Sequence, residues 1–356
     1  MRALPAVLLA VVTLALFAFP AFVESPYALH VMILLFLAVI QGESWNVLGG
    51  YTGQYSVGHA AYFGVGAYTT LMLLQFEHVP PWWGVWIAVL LSVVVAVIIG
   101  SITFRLRGPY FVLASIAVAE IFRLVALNWK SVTNGAEGIL TSDLPPLVIG
   151  GHTITDFVSK VPFYYAGLAL ALVTIAVNWG VQHSKLGYYF QAIREDQDAA
   201  HSLGIPLTFY KNVALAISAF FTAWSGAFYG LYIGFIDPGT VLVTEVSVQF
   251  VLICIIGGIG TIGGPVVGAL VLVPLSEALR ANLVSDVVFK LGLVDETSPY
   301  GLFLKDNLAH AHALIYGILV VIVILFMPDG VLGWVRGGLA RRRRGAAGGA
   351  AEGAAS

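Results

Sequence analysis

Stretches of about twenty apolar residues recur along this chain, which is the length a helix needs to cross a bilayer's hydrocarbon layer. They fall near 4–23, 29–48, 59–76, 84–104, 109–127, 163–180, 211–235, 245–262, 263–284 and 307–327. Inside that layer every backbone N–H and C=O must be satisfied within the segment, so such stretches fold as helices. One compact core could not bury this much apolar surface: 59% of the 356 residues are hydrophobic and 10% are charged, with a mean hydropathy of +0.91. A soluble domain carries about 25% charged residues. The expected fold class is therefore all-α, a polytopic integral membrane helical bundle of about ten spans over residues 1–335. A basic, Gly/Ala-rich tail at 336–356 follows and is expected to be disordered. The first apolar run follows Arg2 and could pass for a signal peptide, but it is long for one and is read as a retained span.

Ten spans place both termini on one side, and the positive-inside rule selects which. With the N-terminus cytoplasmic, the inner segments hold Arg2, Arg105, Arg107, Lys185, Arg194, Lys211, Arg336 and Arg341 to Arg344. The outer segments hold Arg123, Lys130, Lys160, Arg280, Lys290 and Lys305. The expectation is N-in and C-in, with longer outer loops at 128–162 and 285–306 and the tail arginines against anionic membrane lipid.

Several chemistries are missing. No GxxxxGK[ST] run exists, so a phosphate-binding loop for ATP is not encoded here. Gly258, Gly260 and Gly263 spell GxGxxG, but inside an apolar stretch with no preceding strand, which argues helix packing rather than a dinucleotide. His310 and His312 are two apart and point to different helix faces, which makes no metal pair. Cys254 is the single cysteine and lies in an apolar run. The net charge of −2 gives no attraction to nucleic acid. No catalytic residue, metal site or chain-bound cofactor is expected.

What remains are glycine-interrupted segments, an intramembrane charge pair and one polar island. Residues 48–70, LGGYTGQYSVGHAAYFGVGAYTT, put Gln54, Ser56 and His59 among six glycines. Broken backbone at membrane depth survives only where protein or a water-filled cavity covers it, so this run is a candidate wall of a substrate pathway or a site of tight packing. A second run, 257–268, repeats Gly260, Gly264 and Gly268 at four-residue spacing, and Gly226, Gly230 and Gly234 form a similar ladder on the preceding span. Small residues at this spacing let helix backbones approach closely. Gly/Pro interruptions in both halves are also what an internally repeated transporter shows. Glu120 and Arg123, three apart in the fifth span, can pair on one helix face.

The island is residues 181–211, VQHSKLGYYFQAIREDQDAAHSLGIPLTFYK. Helical spacing gathers Tyr189, Ile193 and Ala200 with Ala192, Ala199 and Leu203 on an apolar face, leaving Arg194, Glu195 and Asp198 off it. Gly204 and Pro206 stop the helix, and a break near 194–196 into two short helices is the alternative. A membrane chain that trims its other inner loops keeps such a segment for a soluble partner, with Ala199 and Ala200 allowing close approach to a groove.

Taken together, GGYTGQYSVGHAAYFGVGAY (49–68), RGPYFVLASIAVAEIFR (107–123), TNGAEGI (133–139), SKLGYYFQAIREDQDAAHSLGI (184–205) and GGIGTIGGPVVGA (257–269) closely resemble the permease subunits of branched-chain amino acid ABC transporters, in particular the M-type member of the two-permease pair. The resemblance implies a homologous second permease, two cytoplasmic ATPases that carry ATP and Mg, an external substrate-binding protein and location in a bacterial or archaeal inner membrane. It also implies that the island is an EAA-type coupling loop. Gly187, Arg194, Glu195, Ala199, Ala200 and Gly204 are the coupling candidates, with Arg194 and Glu195 as polar rim contacts and the alanines setting the docking distance. Related permeases carry urea or short amides, which leaves that substrate alternative open. A stand-alone secondary transporter is the rival class; it needs coupling-ion ligands, for which Glu120 is the plausible buried carboxylate.

Overall fold

The apolar stretches become helices, several of them starting on proline or a side-chain cap, in a computed structural model that describes residues 3–23, 25–141, 147–149, 152–155, 159–280, 317, 318, 321, 325 and 330–334. α1 is Ala3–Phe22 and α2 Pro26–Trp45, whose N-cap Ser25 accepts from the Ala28 N–H. α3 is His59–Phe76, α4 Pro81–Thr103 and α5 Pro109–Asn128, the last two starting on proline, whose missing N–H costs nothing at a first turn. A short α6 (Lys130–Thr133) precedes α7, Val161–Gln182. The island forms α8 (Lys185–Glu195) and α9 (Gln197–Ser202), so it is two helices rather than one. α10 (Leu207–Ile233), α11 (Pro238–Val241), α12 (Thr244–Gly257) and α13 (Gly264–Arg280) complete the described helices.

Six helical segments among the described residues are long and apolar enough to cross a membrane: Pro26–Gly50, Pro81–Thr103, Pro109–Asn128, Val161–Gln182, Leu207–Ile233 and Pro238–Gly257. The fold is therefore a helical membrane protein. Most of the 307–327 stretch, all of 285–306 and the 336–356 tail lie outside the described residues, as do His310 and His312. Small strands interrupt the helical pattern only in connections. β1 (Ile139–Leu140) pairs antiparallel with β4 (Phe235–Ile236), while β2 (Leu147–Ile149) pairs with β3 (His152–Thr155).

α2 is the central element, buried over most of its length and packed against α7, α10, α12 and α13. It runs antiparallel to α10: His30 meets Tyr232 at one end, and Ser44 accepts from the Thr222 hydroxyl (3.0 Å) nearer the other. The β1–β4 pair lies at the His30 end, and the island lies at the opposite one. Glu43 on α2 is fully buried and accepts from Asn178 Nδ2 on α7 at 2.6 Å, while the same nitrogen also donates to the Glu43 carbonyl at 2.8 Å. Cys254 is also buried, its thiol against the Gly42 carbonyl. These bonds hold α2 to two neighbours through groups that could find no water there.

Glycine sets the closest approaches. A Cβ on Gly226 of α10 would fall on the Phe63 carbonyl of α3, and one on Gly66 would fall on the Ala223 carbonyl, so these two helices meet backbone to backbone. Gly230 faces the Leu71 side chain. Gly268 of α13 faces the Ile253 carbonyl of α12, and Gly264 faces the Gly258 carbonyl. Two glycines read as ladder members do something else. Gly234 is the left-handed C-cap of α10 (φ +74°), and Gly260 lies in the turn between α12 and α13 at φ +75°. The GxGxxG run therefore follows a helix and forms a turn, not the interior of a span.

Gly226→Leu should lower stability by about 1–3 kcal/mol or more, since the backbone opposite cannot recede. Gly180→Ala, on an α7 surface with nothing within 4 Å, should be neutral or slightly stabilising, and thermal unfolding in detergent reads both. In the same assay Glu43→Gln should unfold near wild type, because an acceptor for Asn178 remains. Glu43→Leu should lose about 1–3 kcal/mol, because one Asn178 Nδ2 hydrogen loses its acceptor and only the bond to the residue-43 carbonyl remains; equal stability of the Leu variant would contradict the clasp.

Candidate functional site at the island and the glycine breaks

The island is two helices because Asp196 breaks it. Its backbone is extended (φ −156°, ψ 115°), and its Oδ1 accepts from the N–H groups of Asp198 and Ala199 at 2.8 and 3.0 Å, capping α9. This resets the helical phase, so the single apolar face expected over 187–203 is divided. Phe190, Ile193 and Ala200 turn inward and are buried, and Tyr189 stacks on Tyr210 with ring centroids 4.5 Å apart. Ala199 turns outward, and Leu203, expected on the apolar face, is 82% exposed.

The inward half is tied down at several points. Phe190 packs with Val47 and Leu48 from the end of α2 and with Ala214 and Leu215 of α10. Lys211 is buried and donates to Gln197 Oε1 at 2.8 Å, holding α9 to the base of α10. Arg107, in the turn between α4 and α5, pairs with Asp198 at 2.7 Å. That pair is well exposed and contributes little to stability. Gly187 is buried where a Cβ would press on the Val181 and Gln182 carbonyls. Gly204 follows α9 at φ +83° in open space, so it is required by backbone conformation and not by crowding.

The glycine break after α2 begins as a π-helical turn, Asn46–Gly50, stays helical through Thr52 and is unwound over 53–58 before α3 starts. It is the connection between two helices, packed into the island half of the bundle. The Arg194 side chain from α8 lies along it: its Cγ would be 3.3 Å from a Cβ on Gly53, and its Nη1 donates to the Gly50 carbonyl at 2.8 Å. Gly53 is at φ +68°, a region that L side chains avoid. Beside this contact sits the second break, 258–263. Gly260 N–H donates to Asn46 Oδ1 at 2.9 Å, and Asn46 Nδ2 donates to the Thr261 carbonyl at 3.0 Å. A Cβ on Gly260 would strike the Arg194 guanidinium. The two interruptions, far apart in sequence, thus meet each other and the island in one junction.

Arg194 is exposed, as a rim contact would be, but its Nη1 is directed back to the Gly50 carbonyl. Ala200, expected on the docking surface, instead packs inside the chain at 2% exposure. Glu195 is exposed as expected. The outward face of the island carries Tyr188 (69% exposed), Gln191, Glu195, Ala199, Ser202 and Leu203.

The pathway candidates are inward too. Gln54 is buried and donates to the Thr52 carbonyl at 3.1 Å. Ser56 is buried, its hydroxyl accepting from the Gly58 N–H and its carbonyl from Trp45 Nε1 at 2.7 Å. His59 is fully buried, with Nε2 2.7 Å from the Ser218 hydroxyl of α10. Each bonds within this chain, and His59 Nδ1 is left buried without a partner. Glu120 and Arg123 do pair, through two hydrogen bonds of 2.9 and 2.5 Å, on a half-buried face of α5. The fully buried carboxylate is therefore Glu43, not Glu120. The signal for it was present: an ionisable residue inside an apolar window, which in a membrane span is unusual enough to be read as placed for a purpose. Asn46 carried no comparable signal. Among the described residues no three His, Cys, Asp or Glu side chains gather as a metal site.

A family model described as branched-chain amino acid transport system, permease component, matches residues 27–326. The LivM permease proteins of the high-affinity branched-chain amino acid transport systems of Salmonella typhimurium and Escherichia coli are each 27% identical over 277 residues, covering 73% of this chain. The matched part spans 65% of those relatives' own length. LivH of Escherichia coli, a permease protein of the same transport system, is 24% identical over 331 residues, covering 87% of this chain and 97% of that protein. No solved structure matches. With a match over most of its length, this chain belongs to the family of branched-chain amino acid transport system permease components.

Proposed function

We propose that this chain is the permease subunit of an ABC importer for branched-chain or related amino acids, contributing half of a translocation pathway through a bacterial or archaeal inner membrane. In this reading the bundle has about ten spans with both termini cytoplasmic, and the island faces the cytoplasm. A homologous second permease completes the pathway, two ATPase chains bind ATP and Mg and carry out hydrolysis, and an external binding protein delivers substrate. Similarity to both LivM and LivH supports the permease pair. The chain itself performs transport and no chemistry.

The observation that carries the reading is the island. Its inner half is fixed to α7, α10 and the turn after α2, while its outer half leaves an apolar residue, Leu203, almost fully in solvent beside the small Ala199. A rigid lever with a bare apolar knob is suited to a groove on another protein. ATP-driven closure of the ATPases would push this lever and switch the bundle between its two openings. Gly187 and Gly204 shape the lever, and Glu195 and Ala199 belong to its docking face. A secondary transporter is less well supported, because Glu43 is clasped by Asn178 and Glu120 is paired with Arg123.

The test is uptake of radiolabelled leucine by proteoliposomes that contain this chain, its second permease and both ATPases, with the binding protein outside and ATP inside. Uptake should require ATP and every component; uptake by this chain alone without ATP would overturn the reading. Leu203→Asp should strip the ATPases from the purified complex while leaving the chain's thermal unfolding unchanged, since an exposed side chain contributes little to the fold. Full retention of the ATPases would remove Leu203 from the docking face.

A further inference from the structure

We infer that Arg194 is a relay that transmits movement of the island into both glycine breaks at once, a positioning residue rather than a contact with the ATPase. This rests on the proposed docking of the island. Its basis is the junction geometry, which neither the family match nor the relatives' names describe.

Three observations converge. The first is that Arg194 is inserted between the breaks: its stem lies over Gly53, its Nη1 donates to the Gly50 carbonyl, and its guanidinium occupies the space a Cβ on Gly260 would need. Gly53 and Gly260 both have positive φ, at +68° and +75°, so the backbone there is shaped around this side chain in a way that only glycine allows without strain. The second is that the two breaks are stitched to each other. Fully buried Asn46 accepts from the Gly260 N–H and donates to the Thr261 carbonyl, acting as a two-way amide clip between residues 214 and 215 positions apart. The third is that the joined residues sit at unwound segments: 53–58 follows the π-helical turn that carries Asn46 and Gly50, and 258–263 carries Gly260 and Thr261. Each leads straight into a helix, α3 after the first break and α13 after the second, so a small rotation at either is carried along a long rod.

Movement of α8 therefore cannot remain local. Arg194 is held by the α8 backbone, where Ile193 and Phe190 are buried, and cannot shift without either pulling the Gly50 carbonyl or leaving it unsatisfied among buried residues. Gly50 moves Asn46 within the same π-helical turn, and Asn46 moves Gly260 and Thr261. Glycine absorbs large changes of φ and ψ at low cost, so the far ends of the breaks, at Gly58 before α3 and at Gly263 and Gly264 before α13, act as the hinges, while Arg194 with Asn46 ties the near ends to the island. Arginine suits the position because its rigid fork keeps donors aimed at a carbonyl while its long stem packs on glycine.

The experiment uses the full reconstituted complex with the binding protein, read as substrate-stimulated against basal ATP hydrolysis, together with retention of the ATPases on the purified complex. Arg194→Ala should keep the ATPases bound while stimulation and uptake fall by about fivefold or more, the range of an ordinary coupling energy. Arg194→Lys should recover part of the stimulation, because an ammonium can still donate to the Gly50 carbonyl. Asn46→Ala, buried and remote from the docking face, should reproduce the loss of stimulation with the ATPases retained. Loss of the ATPases in Arg194→Ala would make Arg194 a docking contact and overturn the relay, as would wild-type stimulation in either alanine variant. A wild-type complex that holds no ATPases would instead overturn the proposed function on which the relay rests.

Discussion

An interrupted helix leaves carbonyl and amide groups without their intrahelical partners, and inside a packed bundle something must bond to them. That requirement organises the island half of this molecule. The Gly50 carbonyl is satisfied by Arg194, the Gly260 N–H and the Thr261 carbonyl by Asn46. The groups that satisfy the breaks come from the segment proposed to meet the ATPases and from the break on the other side. Meeting an ordinary hydrogen-bonding need thereby creates a mechanical link. Removing one partner would cost a backbone group of a break its hydrogen bond, about 0.5–1.5 kcal/mol, enough to make the link a real constraint on how the parts move.

The rest of the bundle is built to hold that link in register. α2 delivers Asn46 and Gly50, and it is pinned by the Glu43–Asn178 and Ser44–Thr222 bonds a few residues before the break. α10 carries the island's far end and lies against α3 at backbone contact through Gly66 and Gly226. Helices packed that closely slide or rotate as units more readily than they bend, because no side chains lie between them to repack. Displacement entering at the island would thus leave through α3 and α13 as rigid-body motion.

Much of this was legible in the chain. The apolar windows became helices, prolines at 26, 81 and 109 stand at helix starts, and the Gly204–Pro206 stop falls where the island ends. The family could be read from motifs scattered along the chain. Less legible was everything that depends on phase or on distant partners. Asp196 resets the helical period of the island, and a continuous 3.6-residue pattern therefore put Ala199 and Leu203 on one face with the buried Ile193 and Ala200. Arg194 and Gly50 are 144 residues apart, and no local spacing announces that they meet. Glu43 stood out as a carboxylate in a long apolar run, but its partner, Asn178, lies 135 residues away and no local pattern names it. Gly260 shows the ambiguity of glycine itself, since a four-residue ladder and a left-handed turn can use the same letters.

The central claim is that the island and the first glycine break move as one body. The most direct measurement is the distance between spin labels at Gln191→Cys on the outer face of α8 and Tyr55→Cys in the break, both exposed, with buried Cys254 left in place. Double electron–electron resonance on the reconstituted complex would compare the nucleotide-free and ATP-bound states. A distance between these labels that stays fixed while either label changes its distance to a third site at Trp179 on α7 is the predicted result. A Gln191–Tyr55 distance that itself shifts between the two states would contradict the account.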